Sequence, residues 1–531
     1  MMMPSLHAYL IMAVFVLILS TIIIAAQDTP GYTDAYYYYN VGAKLADGEG
    51  LTDAYLWMYI NAPDKLPTES HRYWMPLASL VAALPMLIFG TGFDVAQWGF
   101  VPFLVGLAWI GMALGMRIGG SRRQMWVAGF SVVLGGFYLP FWLTTDTFAV
   151  FGLVGAGALI ALGIGRDWRW YALGGALSGL AHLARADGLL LVIVGLIVIW
   201  LPIVSHPKRW RVGTGFTLSA DAIQKTAALI LAYLLVMLPW FLRSMDVLGS
   251  PLPAGGIETA YLHGYNDLFS YPAGWNLQHL MDWGWGNVLK SRWDGLLIAF
   301  QTWLAVEGLI VLAPFALYAL WKRRQERFFV PMIWYAIGLH LAMSVVFTYP
   351  GSRGGLFHSS AALFPFWVAL GLAGVDDFIG WLALKRRWRK GEAQIVFGVA
   401  VLLLPMALGY TAWSAQTRNR DDQPDYETIT ALLPEHARLM TSDPAAWNYH
   451  TGLMGVTLPE ESLETSLKIA QRYCITHLVI DKNVTDAFQP LIEGTAEPPP
   501  FLNQVHHFDG NTPDDWSDDV RLYVFAITCT P

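Results

Sequence analysis

Tyr9-Leu-Ile-Met-Ala-Val-Phe-Val-Leu-Ile-Leu-Ser-Thr-Ile-Ile-Ile-Ala-Ala26 is followed at once by Gln27-Asp-Thr-Pro-Gly-Tyr-Thr-Asp34-Ala-Tyr-Tyr-Tyr-Tyr39. The first stretch is apolar throughout and about as long as the roughly twenty residues a helix needs to cross a bilayer. The second turns polar within two residues and places a carboxylate, Asp34, near the membrane end of that helix. No Lys or Arg precedes the apolar run, so it reads as an uncleaved anchor rather than a signal peptide.

The rest of the chain repeats the first theme. Apolar runs lie near 95–117, 124–143, 148–165, 171–184, 188–204, 226–247, 296–320, 329–348, 361–381 and 394–414, which predicts about eleven transmembrane helices. Composition agrees. The 531 residues are 55% hydrophobic and 14% charged, where soluble domains run near a quarter charged. The 24 Trp suit membrane interfaces. A net charge of -7 gives no basic excess for nucleic acid. Two cysteines, Cys474 and Cys529, exclude a disulfide framework or a cysteine metal cluster; they are either one disulfide or two free thiols, with free thiols slightly favoured.

Charge sets the expected orientation. Eighteen of the 33 Lys and Arg fall in five short loops: Arg117/Arg122/Arg123, Arg166/Arg169, Lys208/Arg209/Arg211/Lys225, Lys322/Arg323/Arg324/Arg327 and Lys385/Arg386/Arg387/Arg389/Lys390. Such loops stay cytoplasmic. The alternate segments are then extracytoplasmic: 27–94, the turns around Asp146 and Arg185, 248–294, 349–360, and everything after Trp413. This alternation holds only if residues 76–89, too short to span, form an amphipathic helix on the outer surface. The predicted organisation is a transmembrane domain over 1–414, with a first outer loop at 27–94 and a long one at 248–294. A small extracytoplasmic α/β domain follows over 415–531, where helical and short apolar stretches alternate.

Candidate chemistry collects on the outer side. Asp34 opens a helical pattern and serves equally as an N-cap or as a catalytic carboxylate kept ionised by the helix N-terminus. Asp146, in Trp142-Leu-Thr-Thr-Asp146-Thr-Phe, also precedes a helix and lies in a short outer loop with a carboxylate and no base. Two carboxylates on one face can divide the work of deprotonating and positioning an acceptor. A phosphate leaving group wants a guanidinium. Arg185 in Ala184-Arg185-Ala-Asp187 and Arg353 in Gly351-Ser-Arg353-Gly-Gly-Leu-Phe-His358 are the candidates, with Arg72 and His71 weaker ones. The bland readings are a local Arg185–Asp187 pair and a solvated loop charge at Arg353. At membrane depth, His182 and His340 read as side chains satisfied by backbone carbonyls, and Glu307 as either hydrogen-bonded or cavity-lining. The 248–294 loop offers Glu258, His263 and several Tyr and Trp, which suit interfacial anchoring or a substrate-covering lid.

At this point a family resemblance enters. Thr33-Asp34-Ala-Tyr-Tyr with Lys44-Leu-Ala-Asp-Gly-Glu-Gly-Leu51, Tyr73-Trp-Met-Pro76-Leu, Leu143-Thr-Thr-Asp146-Thr-Phe-Ala, Gly179-Leu-Ala-His-Leu-Ala-Arg185-Ala-Asp-Gly-Leu, and Ser352-Arg353 leading to Phe364-Pro365 resemble, in order and sidedness, the GT-C fold glycosyltransferases. Lipid A aminoarabinose transferases and protein O-mannosyltransferases are the nearest groups. The resemblance covers residues 5–410 in layout. It implies inverting transfer from an undecaprenyl- or dolichyl-phosphate sugar, with Asp34 as base or acceptor-orienting carboxylate and Asp146 as its partner. Arg72, Arg185, Arg353, His358, Glu258 and His263 become candidates for substrate binding. No metal ligand is assigned, although some members of the fold use a divalent ion. The implied acceptor is a lipid, a glycan or a protein hydroxyl. One departure stands out: the aminoarabinose enzymes carry Lys before the Pro of the surface helix, and here that residue is Met75. The rival readings are a transporter and a polymerase or ligase of lipid-linked glycans.

Overall fold

A computed structural model describes residues 4–201, 203–206, 209–212, 219–253, 255–509, 516 and 519–527. Lys208 and Cys529 lie outside the described residues, and with Cys529 goes any pairing to Cys474. Cys474 itself is partly buried.

The first apolar run forms helix Leu6–Ala25, started by Ser5, whose hydroxyl accepts the Ala8 N–H. At 1.5 Å per residue its twenty residues span about 30 Å. Leu10, Ile11, Val14, Ile18 and Ile22 point away from the bundle, and Thr21 among them donates its hydroxyl to the Leu17 carbonyl, as a lipid-facing stripe requires. Among the described residues, six helices are long and apolar enough to cross a membrane: Leu6–Ala25, Phe93–Gly119, Ala220–Leu248, Arg327–Val346, Phe364–Arg386 and Lys390–Thr430. Shorter apolar helices, including Phe148–Ile164, pack among them. The chain is a polytopic helical membrane protein.

Close packing depends on small residues. Helices Trp168–Ala184 and Ala220–Leu248 meet through Gly175 and Gly179. A Cβ on Gly175 would lie 2.1 Å from the Leu229 carbonyl oxygen, and one on Gly179 2.8 Å from Val236 Cβ. Such small-xxx-small faces let membrane helices approach closely. Gly175→Ala is therefore expected to lower stability by roughly 1–3 kcal/mol, read as a drop in melting temperature of the purified protein. An unchanged melting temperature would contradict this packing.

Several predicted runs are interrupted. The run 124–143 is helical only over Arg122–Leu134, because Gly135 (φ 67°) and Gly136 (φ 54°) turn the backbone into a 3-10 segment, Gly136–Phe141. The run 296–320 is not one helix. Trp285–Thr302 continues as a wide turn, Trp303–Glu307, and then breaks at Leu309 (φ 45°) and Ile310 (φ 57°) before Ala313–Arg323. Glu307 sits at that break, accepting from the Trp367 indole (2.7 Å) and facing His340 Nε2 (3.0 Å). His340 also meets the Ala336 carbonyl through Nδ1. His182 differs from expectation: its partner is the Tyr233 hydroxyl (2.7 Å), not a carbonyl. Because Trp285 already begins a helix, the long loop ends near residue 284 rather than 294.

Residues 76–89 do form a short helix, Leu77–Phe89. It packs against Thr33–Ala46 and leaves Leu84, Leu87, Ile88 and Phe89 exposed.

The C-terminal region is α/β, with two corrections to the predicted boundary. Residue 415 falls inside helix Leu403–Asp421, so the fold of this region starts after that helix. Its sheet is also not self-contained. The strand order is Tyr55–Leu56, Met454–Thr457, Arg438–Thr441, His477–Ile480, Val520–Phe525, Leu502–Phe508, the first four parallel and the last two antiparallel. The edge strand comes from the first loop. Helix Thr33–Ala46 is docked to the same unit through Thr33 Oγ1 to Asp443 Oδ2 (2.7 Å) and Asn40 Nδ2 to the Ala445 carbonyl (2.9 Å). The loop carrying Asp34 is thus clamped between bundle and sheet.

Candidate active site

Four helix ends meet beneath that clamp, and each supplies an ionisable side chain. Asp34 lies in the first turn of Thr33–Ala46, where Tyr32 is the N-cap, so capping is not its role. The helix N-terminus favours its charge. Asp146 sits just before Phe148–Ile164. Arg185 closes Trp168–Ala184. His358 lies in Leu356–Ser360, after a bend at Gly354 whose φ of 128° needs a glycine.

Asp146 is fixed from three sides: the Tyr32 hydroxyl donates to Oδ2 (2.8 Å), His358 Nε2 lies 2.9 Å from the same oxygen, and the Thr147 N–H donates to Oδ1. Burial alone pushes its carboxyl up. The His358 charge and hydrogen bond, with the Thr147 and Tyr32 donors, outweigh that and bring it below the ordinary carboxylate range. Asp34 is the opposite case. Its carboxyl is raised to about 6, first by burial and then by the Asp146 charge; His358 and Arg185 pull the other way. Its Oδ2 is 3.9 Å from His358 Nε2. The side chain of Asp146 is 0% exposed and that of Asp34 is 28% exposed. The two acids therefore titrate as a pair with divided character, one locked and ionised, one open and poised.

His358 is the hinge of the pair. Nδ1 faces the Gly354 carbonyl (2.7 Å), which can only accept, and Nε2 faces Asp146, so both nitrogens meet acceptors. The Phe148 ring stacks 3.9 Å from the imidazole and holds it in this orientation.

Arg185 makes the local pair with Asp187. Nε bonds Asp187 Oδ1 (3.1 Å) and Ser359 Oγ (2.9 Å), and Nη2 reaches the Gly355 carbonyl (3.5 Å), while its field also acts on Asp34. Arg353 places its guanidinium over the Tyr265 ring, 5.1 Å from the centroid. The charge of Asp34 in turn acts on the Tyr265 hydroxyl, which burial pushes up.

The other candidates lie elsewhere. Arg72 donates to the Asn61 carbonyl (2.6 Å) and belongs with Asp53 in a cleft lined by Tyr37, Tyr55, Trp57 and Trp74. His71 is a buried core group bonded to the Trp74 carbonyl, its imidazole pushed down to about 3 by burial. Glu258 is half-buried in Gly255–Glu258, and burial raises its carboxyl. His263 stacks on His279. None of these four touches the Asp34–Asp146–His358 group. Sequence reading missed Tyr32, Ser359 and Asp443. Tyr32 and Ser359 are short-range neighbours of residues already singled out. Asp443 arrives from the distant α/β unit and had no sequence signal.

Asp34, Asp146 and His358 also fit a divalent ion: one ligand atom from each lies within 4.8 Å of the others. A two-carboxylate, one-imidazole set suits such an ion.

No protein-family model matches the sequence, and no curated protein matches it significantly. Solved structures do. ArnT from Cupriavidus metallidurans, bound to undecaprenyl phosphate, is 13% identical, with 98% of each chain covered and a TM-score of 0.56. The archaeal oligosaccharyltransferase AglB from Archaeoglobus fulgidus, in complex with an inhibitory peptide and a dolichol-phosphate, is 13% identical over 94% of this chain and 73% of that one, TM-score 0.55. At such identity the likeness is one of architecture: the chain has the GT-C membrane fold of these two proteins.

Proposed function

We propose that this protein is a membrane glycosyltransferase that moves a sugar, with inversion, from a polyprenyl-phosphate carrier to an acceptor hydroxyl at the extracytoplasmic face. The observation that carries this reading is the convergence of a poised carboxylate, Asp34, with the locked Asp146–His358 pair and the Arg185 guanidinium at one end of the bundle. Both solved relatives hold a polyprenyl or dolichol phosphate, and one also a peptide, so a lipid phosphate is the natural donor class. About eleven spans, a cytoplasmic N-terminus and an extracytoplasmic α/β unit follow from the basic-loop pattern. That orientation puts the four site residues outside.

The chemistry follows from the geometry. Asp34 accepts the proton of the acceptor hydroxyl. That oxygen attacks the anomeric carbon as the bond from that carbon to the phosphate oxygen breaks. The departing polyprenyl phosphate gains negative charge, which Arg185, with Arg353 at the rim, stabilises. His358 and Asp146 hold each other; Asp146 raises the Asp34 carboxyl while His358 and Arg185 lower it, and at about 6 it is ionised at neutral pH. A divalent ion held by Asp34, Asp146 and His358 would supply extra charge stabilisation. Meeting of the polar groups at one end of the bundle favours an enzyme over a transporter, whose sites gather at the midplane.

The reading is tested by reconstituting the protein in vesicles with radiolabelled polyprenyl-phosphate sugars and lipid, glycan or peptide acceptors. Transfer is expected with at least one donor, and none with any would sink it. The same assay carries a pH signature. Asp34 works only when ionised, so kcat/KM is expected to fall about tenfold per pH unit below about 6, where its carboxyl takes a proton. A flat profile down to pH 4.5 would remove Asp34 as the base.

A further inference from the structure

Away from these acids, the loop between Ala220–Leu248 and Trp285–Thr302 holds a second cluster. One ligand atom from each of His263, Asp267 and His279 lies within 4.8 Å of the others. The two imidazoles are stacked, centroids 3.8 Å apart and 6° from parallel, and Trp283 stacks on His263 at 4.9 Å. In its neutral form each ring carries one lone pair.

The hydrogen bonds say which atoms are free. His263 Nε2 meets the His279 backbone carbonyl at 2.6 Å. A carbonyl only accepts, so Nε2 holds the proton and Nδ1 is left with its lone pair. A backbone carbonyl that fixes the tautomer in this way is the usual support of a metal-bound histidine. Asp267 Oδ2 is aimed by two backbone donors, His263 N (2.6 Å) and Gly264 N (3.2 Å). His279 Nε2 is buried and has no hydrogen-bond partner. It lies 3.8 Å from Asp267 Oδ2, too far for a hydrogen bond. That gap is a few tenths of an ångström wider than the about 3.4 Å between two ligands of a tetrahedral zinc.

The α/β unit brings a further acid to this loop. Glu460, from the α/β unit, bonds the Phe269 carbonyl through its own N–H (3.1 Å), and its buried Oε2 has no partner. Its carboxyl is raised to about 7 by burial, then by Asp486 and Asp267. A cation between Asp267 and the unpartnered His279 Nε2 would satisfy both.

We infer that His263, Asp267 and His279 form a binding site for a divalent transition ion of the zinc class, which ties the Asn266–Phe269 turn to helix Leu277–Asp282. Nitrogen ligands select such an ion over magnesium or calcium. The site has a consequence for the acid cluster. Tyr265 lies two residues from each of His263 and Asp267, carries Arg353 over its ring and sits in the field of Asp34. An ion that pins this segment pins Tyr265 and the Arg353 guanidinium over it. Only that consequence rests on the glycosyltransferase reading; the ion site itself does not.

The test uses the full chain in lipid nanodiscs, stripped with chelator and titrated with zinc chloride. Three proteins are compared: wild type, the double variant His263→Ala/His279→Ala, and Asp146→Asn. Wild type is expected to take up one zinc more than the double variant. Asp146→Asn should keep that zinc, which separates it from any ion at the acid cluster. Hydrogen exchange of residues 262–282 should slow on zinc addition in wild type and not in the double variant. Should the double variant melt early, Asp267→Asn, nearly isosteric, replaces it and should weaken zinc uptake. Equal uptake by wild type and the ligand variants, or uptake lost only in Asp146→Asn, would overturn the site. These readouts need no sugar transfer, so absence of transferase activity leaves them unaffected.

Discussion

Asp34→Asn is expected to lower sugar transfer by roughly 10²–10⁴-fold, the range a positioned general base contributes, while the protein folds normally. The amide keeps the shape and loses the ability to take the acceptor proton. Stability separates this from a structural effect. A carboxyl raised to about 6 in the folded chain is more costly to ionise there than in the unfolded chain. Its contribution to stability is thus fullest at acid pH and declines as pH rises through about 6. A permanently neutral Asn escapes that decline and no longer faces Asp146, so the melting temperature at pH 7 should hold or rise. An inactive, more stable variant is the signature of a strained functional group. Asp34→Asn with wild-type transfer would remove the carboxylate from the mechanism, and inactivity accompanied by early melting would make it structural.

Arg185→Gln is the second large effect, expected at about 10²–10³-fold, the size seen when one donor to a developing charge is removed. Arg185 lies beside the acid cluster, and its charge acts on Asp34. Its removal should therefore lower kcat more than it raises KM, because the phosphate charge grows as the sugar leaves. The loss should also weaken the hold on Asp34 in its ionised form and move the acid limb of the pH profile upward. Arg185→Lys keeps the charge without the fork and should recover part of the rate. A purely structural Arg185, anchoring Asp187 and Ser359, would change the melting temperature and leave the pH limb in place.

Much of the site was readable residue by residue. Asp34 and Asp146 stood out as acids placed before a helix, Arg185 because an unpaired charge between apolar runs is costly, and Arg353 for the glycines beside it. His358 was noticed only as the end of a glycine-rich motif; its place between the two acids depends on the bend at Gly354 and on the packing of Phe148. Arg72, Glu258 and His263 share an outer-loop position with these residues, and sequence could not tell one outer cluster from another. The long runs at 124–143 and 296–320 misled because hydropathy measures transfer from water and is blind to backbone direction. Gly135 and Gly136 break one run, and Leu309 and Ile310 at positive φ break the other, without lowering apolarity.

By itself the sequence determined the solvent of each segment, since every twenty-residue apolar stretch must find lipid or protein and every cluster of basic residues must find water. It determined too that carboxylates and guanidiniums would lie at helix ends. Only the tertiary structure decided which ends meet, that a first-loop strand completes the α/β sheet, and that Asp146 is locked while Asp34 stays open. Those outcomes rest on contacts between residues hundreds of positions apart. Their energies depend on distance and burial, and neither is a property of any local stretch of chain.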